Sequence, residues 1–215
     1  MRTKILLLFA VFFCIVLISN AQVNTGRYLL GGSFNMFQSK DNHPYNDGKN
    51  NGLNANIQFG KVVKENTVVG VILSYSYYNY DYTAPHSNDG KNYGAGIFYR
   101  KYKKLAKDFY FFGEADGAYA YSENNFTQLS GYKLKTNGGT LSFIPGVSYA
   151  ICKRMQIELS MPNIISLSYT HNKTDYTSDP APPPPTQKGN NFTFNTNFNS
   201  NLLSSFGIGF NFFFR

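Results

Sequence analysis

Hydrophobic and polar residues alternate one by one along much of the chain after residue 21. The alternation is clearest in one early and one late segment, whose apolar positions are Leu53, Ala55, Ile57 and Phe59, and Ile208, Phe210, Phe212 and Phe214. A period of two is typical of a β-strand whose two faces meet different surroundings. The alternating segments exceed the usual five or six residues of a soluble strand and match the roughly 9–11 residues that a tilted strand needs to cross a bilayer.

The pattern predicts eight strands, at 26–37, 53–62, 68–80, 92–102, 109–121, 139–151, 156–169 and 191–215. The connections alternate between long ones (38–52, 81–91, 122–138 and 170–190) and short ones (63–67, 103–108 and 152–155). Long loops at one end and tight turns at the other are typical of outer-membrane barrels. We therefore predict an all-β fold, an eight-stranded antiparallel up-and-down transmembrane β-barrel with short periplasmic turns and long extracellular loops. The even strand count places both termini in the periplasm.

The first 21 residues differ from the rest of the chain. Two basic residues, Arg2 and Lys4, precede a run of fourteen apolar residues at 5–18, and small residues follow at 19–21. This pattern predicts a cleaved secretory signal peptide at 1–21 and a barrel at 22–215, because the run is too short to span a membrane as a helix. The exported part keeps one cysteine, Cys152, so no disulfide within the chain is expected.

The two faces of the predicted strands differ in chemistry. One is rich in Phe and Tyr and the other in Gly, Ser, Asn and Thr, while only 15% of the chain is charged. An apolar face pointing inward would leave an exterior poor in charge, which solubility disfavours, so we expect the apolar face to meet lipid. Aromatic residues at both strand ends predict membrane-interface girdles: Tyr75, Tyr77, Tyr119, Tyr121 and Tyr169 at the loop ends, and Phe59, Tyr99, Phe109, Tyr149 and Phe212 at the turn ends.

Four charged residues fall on the inward-facing positions of the predicted strands: Arg100, Glu114, Asp116 and Glu158. Arg100 lies one hairpin away from two of the acids. Eight strands leave room only for side chains in the lumen, so we interpret the set as a structural ion-pair cluster that fills a narrow barrel. A proton or ion pathway is the alternative.

The chain resembles the small eight-stranded outer-membrane barrels of the OmpX-like and OmpA-membrane-domain type, often grouped as porin-family proteins. Gly209, Phe212 and Phe214 in the last strand resemble that family's C-terminal assembly signal, although Arg215 follows where an aromatic residue usually ends the chain. The resemblance covers 22–215. It implies insertion by the barrel-assembly machinery of a Gram-negative-type bacterium.

The net charge and the histidines change the predicted fold and function little. The net charge of +8 falls to +6 without the signal peptide; by count the long loops are neutral, the lumen carries −2 and the turns and termini +8. A basic rim facing phospholipid headgroups follows, and nucleic-acid binding is not expected. His43, His86 and His171 are separated loop residues without a cysteine partner, so we predict no metal, cofactor or catalytic site. The proline run at 182–185 is expected to be a stiff spacer.

The leading hypothesis is a non-enzymatic outer-membrane protein, a structural and surface-interaction scaffold with a side-chain-filled lumen. Its expected partners are lipopolysaccharide outside, phospholipid inside, the assembly machinery during biogenesis, and an extracellular ligand at loops 38–52, 81–91, 122–138 and 170–190. The alternatives are a narrow channel or transporter for small solutes, an outer-leaflet lipid-modifying enzyme, and a soluble ligand-binding β-barrel.

Overall fold

The computed structural model describes residues 23–43, 46–82, 87–127, 131–161, 164–176, 185–196 and 207–215. The predicted signal peptide, His86 and most of the proline run lie outside these residues. The described chain forms strands only: β1 (Tyr28–His43), β2 (Asn46–Lys64), β3 (Thr67–Tyr82), β4 (Ser87–Lys104), β5 (Phe109–Thr127), β6 (Tyr132–Cys152), β7 (Met155–Ser160), β8 (Ile165–Tyr176), β9 (Gln187–Thr196) and β10 (Gly207–Phe214). Among the described residues, no helix has the length and apolar character to span a membrane.

The strands close into a ring of antiparallel pairs. Each strand from β1 to β6 pairs with the next along the chain, and β6 pairs with both β7 and β8. On the far side β8 pairs with β9 and β7 pairs with β10. The ring closes where β10 pairs with β1, from Tyr28 opposite Phe214 to Gly32 opposite Phe210. β7 and β8 both pair with β6, so together they occupy the position of the seventh predicted strand. β10 and β9 pair with β7 and β8, so together they occupy the position of the eighth. The fold is therefore the predicted eight-stranded up-and-down barrel.

The seventh and eighth predicted strands are each described as two strands. The segment at 156–169 gives β7 and β8, with Met161 and Ile164 outside both, and the segment at 191–215 gives β9 and β10. Residues 162–163 and 197–206 of these two predicted strands lie outside the described residues.

The predicted long loops are mainly strand, which corrects their boundaries. Pairing between β1 and β2 continues to His43 opposite Asn46, and pairing between β5 and β6 continues to Phe126 opposite Tyr132. The described residues of the segments at 81–91 and 170–190 are also mostly paired. Their Asn, Gly, Ser and Lys residues favour a loop by composition, yet hairpin pairing satisfies their backbone N–H and C=O groups where both strand faces are polar.

The short connections lie where they were predicted. Strands β2 and β3 are joined by Glu65 and Asn66, and Asn66 has a φ of 60°, in the left-handed region that asparagine tolerates. The other two short connections are at 105–108 and 153–154. We call this end of the barrel the turn end, and the opposite end, with the four long hairpins, the hairpin end.

The interior at the turn end is a hydrophobic core, whereas the sequence predicted a Gly, Ser, Asn and Thr lining throughout. Its largest members are Phe98, Tyr102, Tyr110 and Phe112, all at most 2% exposed. The segment at 23–27 closes the core from below: Val23 is buried, and its carbonyl accepts a hydrogen bond of 2.9 Å from the Asn66 N–H. Phe98 also covers Gly60 and Gly70, which face each other on β2 and β3. A narrow lumen must be filled by side chains, and here bulky ones fill it.

The outward face carries most of the exposed hydrophobic side chains. Ile57, Val71, Leu73, Ile97 and Leu141 are each about half exposed or more, at neighbouring positions of β2 to β6. They form one band around the barrel rather than scattered single residues. The apolar exterior predicted from the alternation is therefore present in the fold.

Candidate functional site: a buried arginine cluster in the lumen

Arg100 lies at the centre of a polar cluster inside the barrel. Strand pairing places it directly opposite Glu114, because β4 and β5 are joined by a short turn in a regular register. Glu158 reaches the same level from β7, on the other side of the lumen. Two amide side chains complete the set, Gln58 from β2 and Asn211 from β10. The cluster therefore connects five strands of the ring.

The arginine uses four of its five N–H donors on these partners. Arg100 Nε donates to Glu114 Oε2 at 2.5 Å, and Nη2 donates to Gln58 Oε1 at 2.9 Å. Nη1 donates both to Glu158 Oε2 at 2.8 Å and to the Tyr102 hydroxyl at 3.1 Å. A guanidinium group presents its donors in a rigid fork, so partners placed on different strands fix it from several directions.

The acids are in turn held by amide donors. Gln58 Nε2 donates to Glu114 Oε1 at 2.9 Å, so Gln58 accepts from the arginine and donates to its partner. Asn211 Nδ2 donates to Glu158 Oε2 at 2.6 Å. Each carboxylate is thus bound by both a cation and an amide, the arrangement that makes buried charges tolerable.

Aromatic rings enclose the guanidinium on the turn side. The Arg100 Cζ atom lies 4.6 Å from the centroid of the Phe112 ring, and the rings of Phe98 and Tyr102 are within 6 Å. These distances are within the range of a cation–π interaction. Arg100 and Glu114 are both only 2% exposed. The cluster forms the boundary between the hydrophobic core of the turn end and the polar lumen above it.

The structure brings all four predicted lumen residues together. Arg100 contacts Glu114 and Glu158 directly, and Asp116, two residues beyond Glu114 on the same face of β5, interacts with the Glu114 carboxyl. The buried Oδ1 of Asp116 has no hydrogen-bond partner among the described residues. The sequence did not single out Gln58, Tyr102 and Asn211. All three lie at positions that face the barrel interior. Which interior residues meet depends on the stagger between strands far apart in the chain, and a single sequence does not give that stagger.

The cluster leaves little open space. A cavity of about 110 Å³ borders it, lined by Arg100, Glu114 and Glu158 together with Asn56 and Ser160. A water molecule takes about 30 Å³ of liquid volume, so the cavity has room for a few waters at most. Below the cavity the side chains of the turn-end core pack closely. The arrangement can orient water and hold charge, but it offers no described path through the turn end.

The predicted interface aromatics lie on the outward faces of their strands. Tyr119 and Tyr169 are more than half exposed, and Phe59, Tyr99, Phe109 and Phe212 are each nearly or fully half exposed. Tyr75, Tyr77, Tyr121 and Tyr149 are partly covered by neighbours. Tyr75 contacts the ring of Tyr93 and Tyr149 contacts that of Phe109. Outward aromatics that the sequence analysis did not assign to the girdles are Tyr93, Phe192 and Phe194.

The three residues of the predicted assembly signal lie at the closing seam. Phe214 stacks on Tyr28 with ring centroids 5.9 Å apart, and Tyr28 stacks on Phe59 at 5.8 Å. Phe212 pairs with Leu30 of β1. Gly209 faces the lumen, where an added Cβ atom would meet the Glu158 side chain at 3.0 Å. The last strand thus closes the barrel with outward aromatic rings and leaves room for the lumen cluster.

The hairpin end contains a wider opening. A cavity of about 370 Å³ there is lined by aromatic rings and amides, among them Phe37, Tyr78, Phe126, Asn50 and Asn88. The buried Oδ1 of Asn88 has no hydrogen-bond partner among the described residues. Among the described residues no charged side chain lines this cavity, which suits an uncharged polar ligand better than an ion.

The described residues contain no set of three or more His, Cys, Asp or Glu side chains that could hold a metal ion. The Nδ1 atom of His171 lies 2.7 Å from Asn190 Oδ1 on the exterior of the β8–β9 hairpin. The side chains of His43 and His86 are outside the described residues. Cys152 is a half-buried free thiol at the end of β6.

Comparison with known proteins gives likenesses to solved structures only, with nine matching chains. No protein-family model matches the chain, and no curated protein matches it. The crystal structure of Neisserial surface protein A (NspA) is similar with a TM-score of 0.44 and 15% sequence identity, over 88% of this chain and 98% of that one. The strand pairing of the chain itself establishes the fold.

Proposed function

We propose that this protein is an integral outer-membrane β-barrel that acts as a non-enzymatic scaffold for surface interactions. The observation that carries the proposal is the apolar band around the exterior of a closed barrel whose interior is separately filled. Soluble monomers rarely expose contiguous apolar patches larger than a few hundred Å². A barrel satisfies its backbone hydrogen bonds without edges, so it can place this band in lipid.

The distribution of aromatic and basic residues supports an orientation. Outward aromatics flank the band towards both ends, as expected at the two interfaces of a membrane. Exposed lysines cluster at the turn end, including Lys61, Lys64, Lys101, Lys103 and Lys104. Lysines near anionic headgroups are favourable, so we place the turn end and both termini on the periplasmic side.

The interior supports the scaffold rather than a transport role. The Arg100 cluster and the rings beneath it fill the turn half of the lumen, and they link strands that are distant in sequence. His171, the histidine whose side chain is described, lies against Asn190 Oδ1 on the exterior. The proposed partners are lipopolysaccharide at the hairpin end, phospholipid at the turn end, and the barrel-assembly machinery, which would recognise Gly209, Phe212 and Phe214.

The hairpin end is the proposed site of surface interactions. The predicted ligand-binding loops are extended hairpins in the structure, so an extracellular ligand would meet ordered strand surface and the cavity lined by Phe37, Tyr78 and Phe126. A ligand that displaces water from aromatic rings and bonds to amides would suit this lining.

A membrane fractionation experiment tests the proposal. The protein is expressed with its own leader in a Gram-negative host, and membranes are washed with alkaline carbonate and urea. We expect it in the washed outer-membrane fraction, with a gel mobility that changes on boiling. Recovery in the soluble periplasmic fraction, together with a soluble periplasmic marker, would contradict the proposal.

A narrow channel is the second candidate function. The observation that favours it is the polar lining of the lumen above Arg100 and the small cavity beside it. Recording from folded protein in planar bilayers separates the two functions. The scaffold predicts no discrete conductance. Discrete current steps that disappear when Arg100, Glu114 or Glu158 is replaced would favour the channel instead.

A further inference from the structure

Five charged residues occupy directly facing positions across five neighbouring strands near the hairpin end. In order around the barrel they are Lys91 on β4, Glu123 on β5, Lys135 on β6, Lys173 on β8 and Lys188 on β9. We call this set the lysine row. By residue count the four long loops are electrically neutral. The register shows instead that four basic residues and one acid are collected in one line.

The lysine row lies on the outer surface of the barrel. Side chains alternate between the two faces of a strand, so residues separated by an even number point the same way. Lys135 shares its face with Leu141, and Lys173 shares its face with Tyr169, both of which are more than half exposed on the exterior. Lys188 likewise shares its face with Phe192, which is 70% exposed. The row therefore faces away from the lumen and its cavities.

The arrangement is electrostatically unfavourable without a partner. Lys135 directly faces Lys173, and Lys173 directly faces Lys188. Like charges at directly opposite positions destabilise a strand pair, because their Cβ atoms are only about 5 Å apart. Violations of a local rule of this kind are expected where function requires them.

The nearby acids do not neutralise the row. Glu123 is bound by Lys133 at 2.8 Å, and Asp175 is bound by Lys173 at 2.9 Å. Within the described part of the chain, Lys91, Lys135 and Lys188 form no close ion pair, and Lys135 lies near enough to Glu123 and Asp175 to favour both carboxylates. With Lys133 included, five lysines at this level face three acids (Asp89, Glu123 and Asp175), so a net positive charge remains on the exterior.

The distance between the lysine row and the apolar band follows from the number of strand residues between them. Four residues from Lys135, towards the middle of β6, Gly139 pairs with Tyr119 on one side and Tyr169 on the other. A strand rises about 3.4 Å per residue, so the row stands roughly 14 Å along the strand from these interface aromatics. A lysine stem can reach back several ångströms towards lipid. The ammonium groups therefore lie at the level of lipid headgroups.

We propose that the lysine row binds the phosphate groups of phosphorylated glycolipids in the leaflet around the hairpin end. This inference rests on the proposed membrane location and adds a specific lipid class and the residues that recognise it. Phosphate oxygens are strong acceptors that several ammonium groups can share. The row faces outward directly above a lipid-contacting surface, where a headgroup is present and a soluble ligand has no enclosing pocket.

The test compares two variants with equal charge changes. One carries Lys135→Gln, Lys173→Gln and Lys188→Gln in the row. The control carries Lys101→Gln, Lys103→Gln and Lys104→Gln at the turn end, where all three lysines are exposed. Each folded protein, full length after the leader is removed, is titrated in neutral detergent with bisphosphorylated lipid A, with its dephosphorylated form, and with inorganic phosphate.

We expect saturable binding of the bisphosphorylated lipid to the unaltered protein and to the control. The row variant should bind about 100-fold more weakly, since each lysine near an anionic surface contributes roughly fivefold. The dephosphorylated lipid should bind all three proteins equally weakly, and inorganic phosphate should not compete at millimolar concentration. Equal weakening in the control, equal binding of both lipid forms, or competition by inorganic phosphate would each overturn the proposal.

A stability measurement distinguishes recognition from a structural role. In neutral detergent without phosphorylated lipid, the row variant should melt at the same temperature as the unaltered protein or above it, because lysine repulsion is relieved. A lower melting temperature would show that the lysines serve folding instead. If the lysine row does not bind the lipid, the proposed membrane location still stands, because the fractionation result does not depend on the row.

Discussion

Arg100 shows how a single residue can organise the interior of a narrow barrel. Its guanidinium is bound by side chains of four strands and lies against the ring of Phe112. A buried ion pair often adds little net stability compared with apolar packing, because both charges lose their hydration. Breaking it is different, since the remaining partner is left buried and unpaired. The cluster therefore specifies which residues meet more than it raises the total stability.

Replacing Arg100 with Ala tests that asymmetry. Glu114 and Glu158 would lose their cation, and we expect unfolding in urea to require about 3–5 kcal/mol less free energy. The matched control is Arg154→Ala, because Arg154 is exposed in a turn and surface substitutions usually change stability by less than about 0.5 kcal/mol. A change of less than 1 kcal/mol on Arg100→Ala would contradict the role assigned to the cluster.

Replacing Gly70 with Ala tests the packing of the core at the turn end. An added Cβ atom would meet the Phe59 carbonyl, the Gly60 backbone and the Phe98 ring. Overpacking of this kind costs about 1–3 kcal/mol. At Gly139, where the nearest atom to an added Cβ is 3.8 Å away, alanine should be tolerated. Equal urea midpoints for the two variants would show that Phe98 does not pack as described.

The Glu123 carboxyl provides a pH-dependent prediction outside the membrane-spanning part. Its hydrogen bond to Lys133 holds the pKa below its ordinary value of 4.5. The pair therefore contributes stability at pH values above the ordinary pKa, and this contribution is lost as the pH falls through the lowered one. Carboxyl resonances followed by NMR should show the depressed pKa, and Lys133→Gln should raise it. An unchanged pKa in that variant would rule out the contact.

At the scale of strands, alternation predicted the middle of the barrel and missed its ends. Apolar positions at every second residue identified the parts of β2 to β6 that carry the apolar band, because only one face of each strand is apolar there. The polar halves of the hairpins carry no such contrast, so pattern alone could not separate strand from loop there. Inward parity selected Arg100, Glu114 and Glu158. Gln58 and Asn211 required the stagger between strands far apart in sequence.

The last strand gives a prediction about assembly. Phe214→Ser removes the ring that stacks on Tyr28 at the closing seam, and we expect less folded protein in the outer membrane. Phe192→Ser is the matched control, because Phe192 is also outward and exposed but lies on β9, away from the C-terminus. Quantitative blots of heat-modifiable protein compare them. Equal losses would indicate that apolar area alone matters, and not a C-terminal signal.

For the whole molecule, the net charge of +8 resolves into regions with different environments. The buried cluster is acidic by count, the turn end is basic, and the exterior of the hairpin end carries the lysine row. Between the two charged ends lies the apolar band. This order along the barrel axis matches the order of headgroup, hydrocarbon and headgroup in a bilayer, which explains how a low-charge, aromatic-rich chain can be stably folded.

The central claim is that this apolar band lies in lipid. Site-directed labelling measures it most directly: single cysteines, in a Cys152→Ser background, at Ile97 and Leu141 in the band and at Lys91 above it carry a spin label in protein reconstituted into vesicles. We expect the band labels to be relaxed by oxygen, which concentrates in hydrocarbon, and the Lys91 label to be relaxed by a water-soluble nickel complex. Band labels relaxed by the nickel complex would contradict the claim.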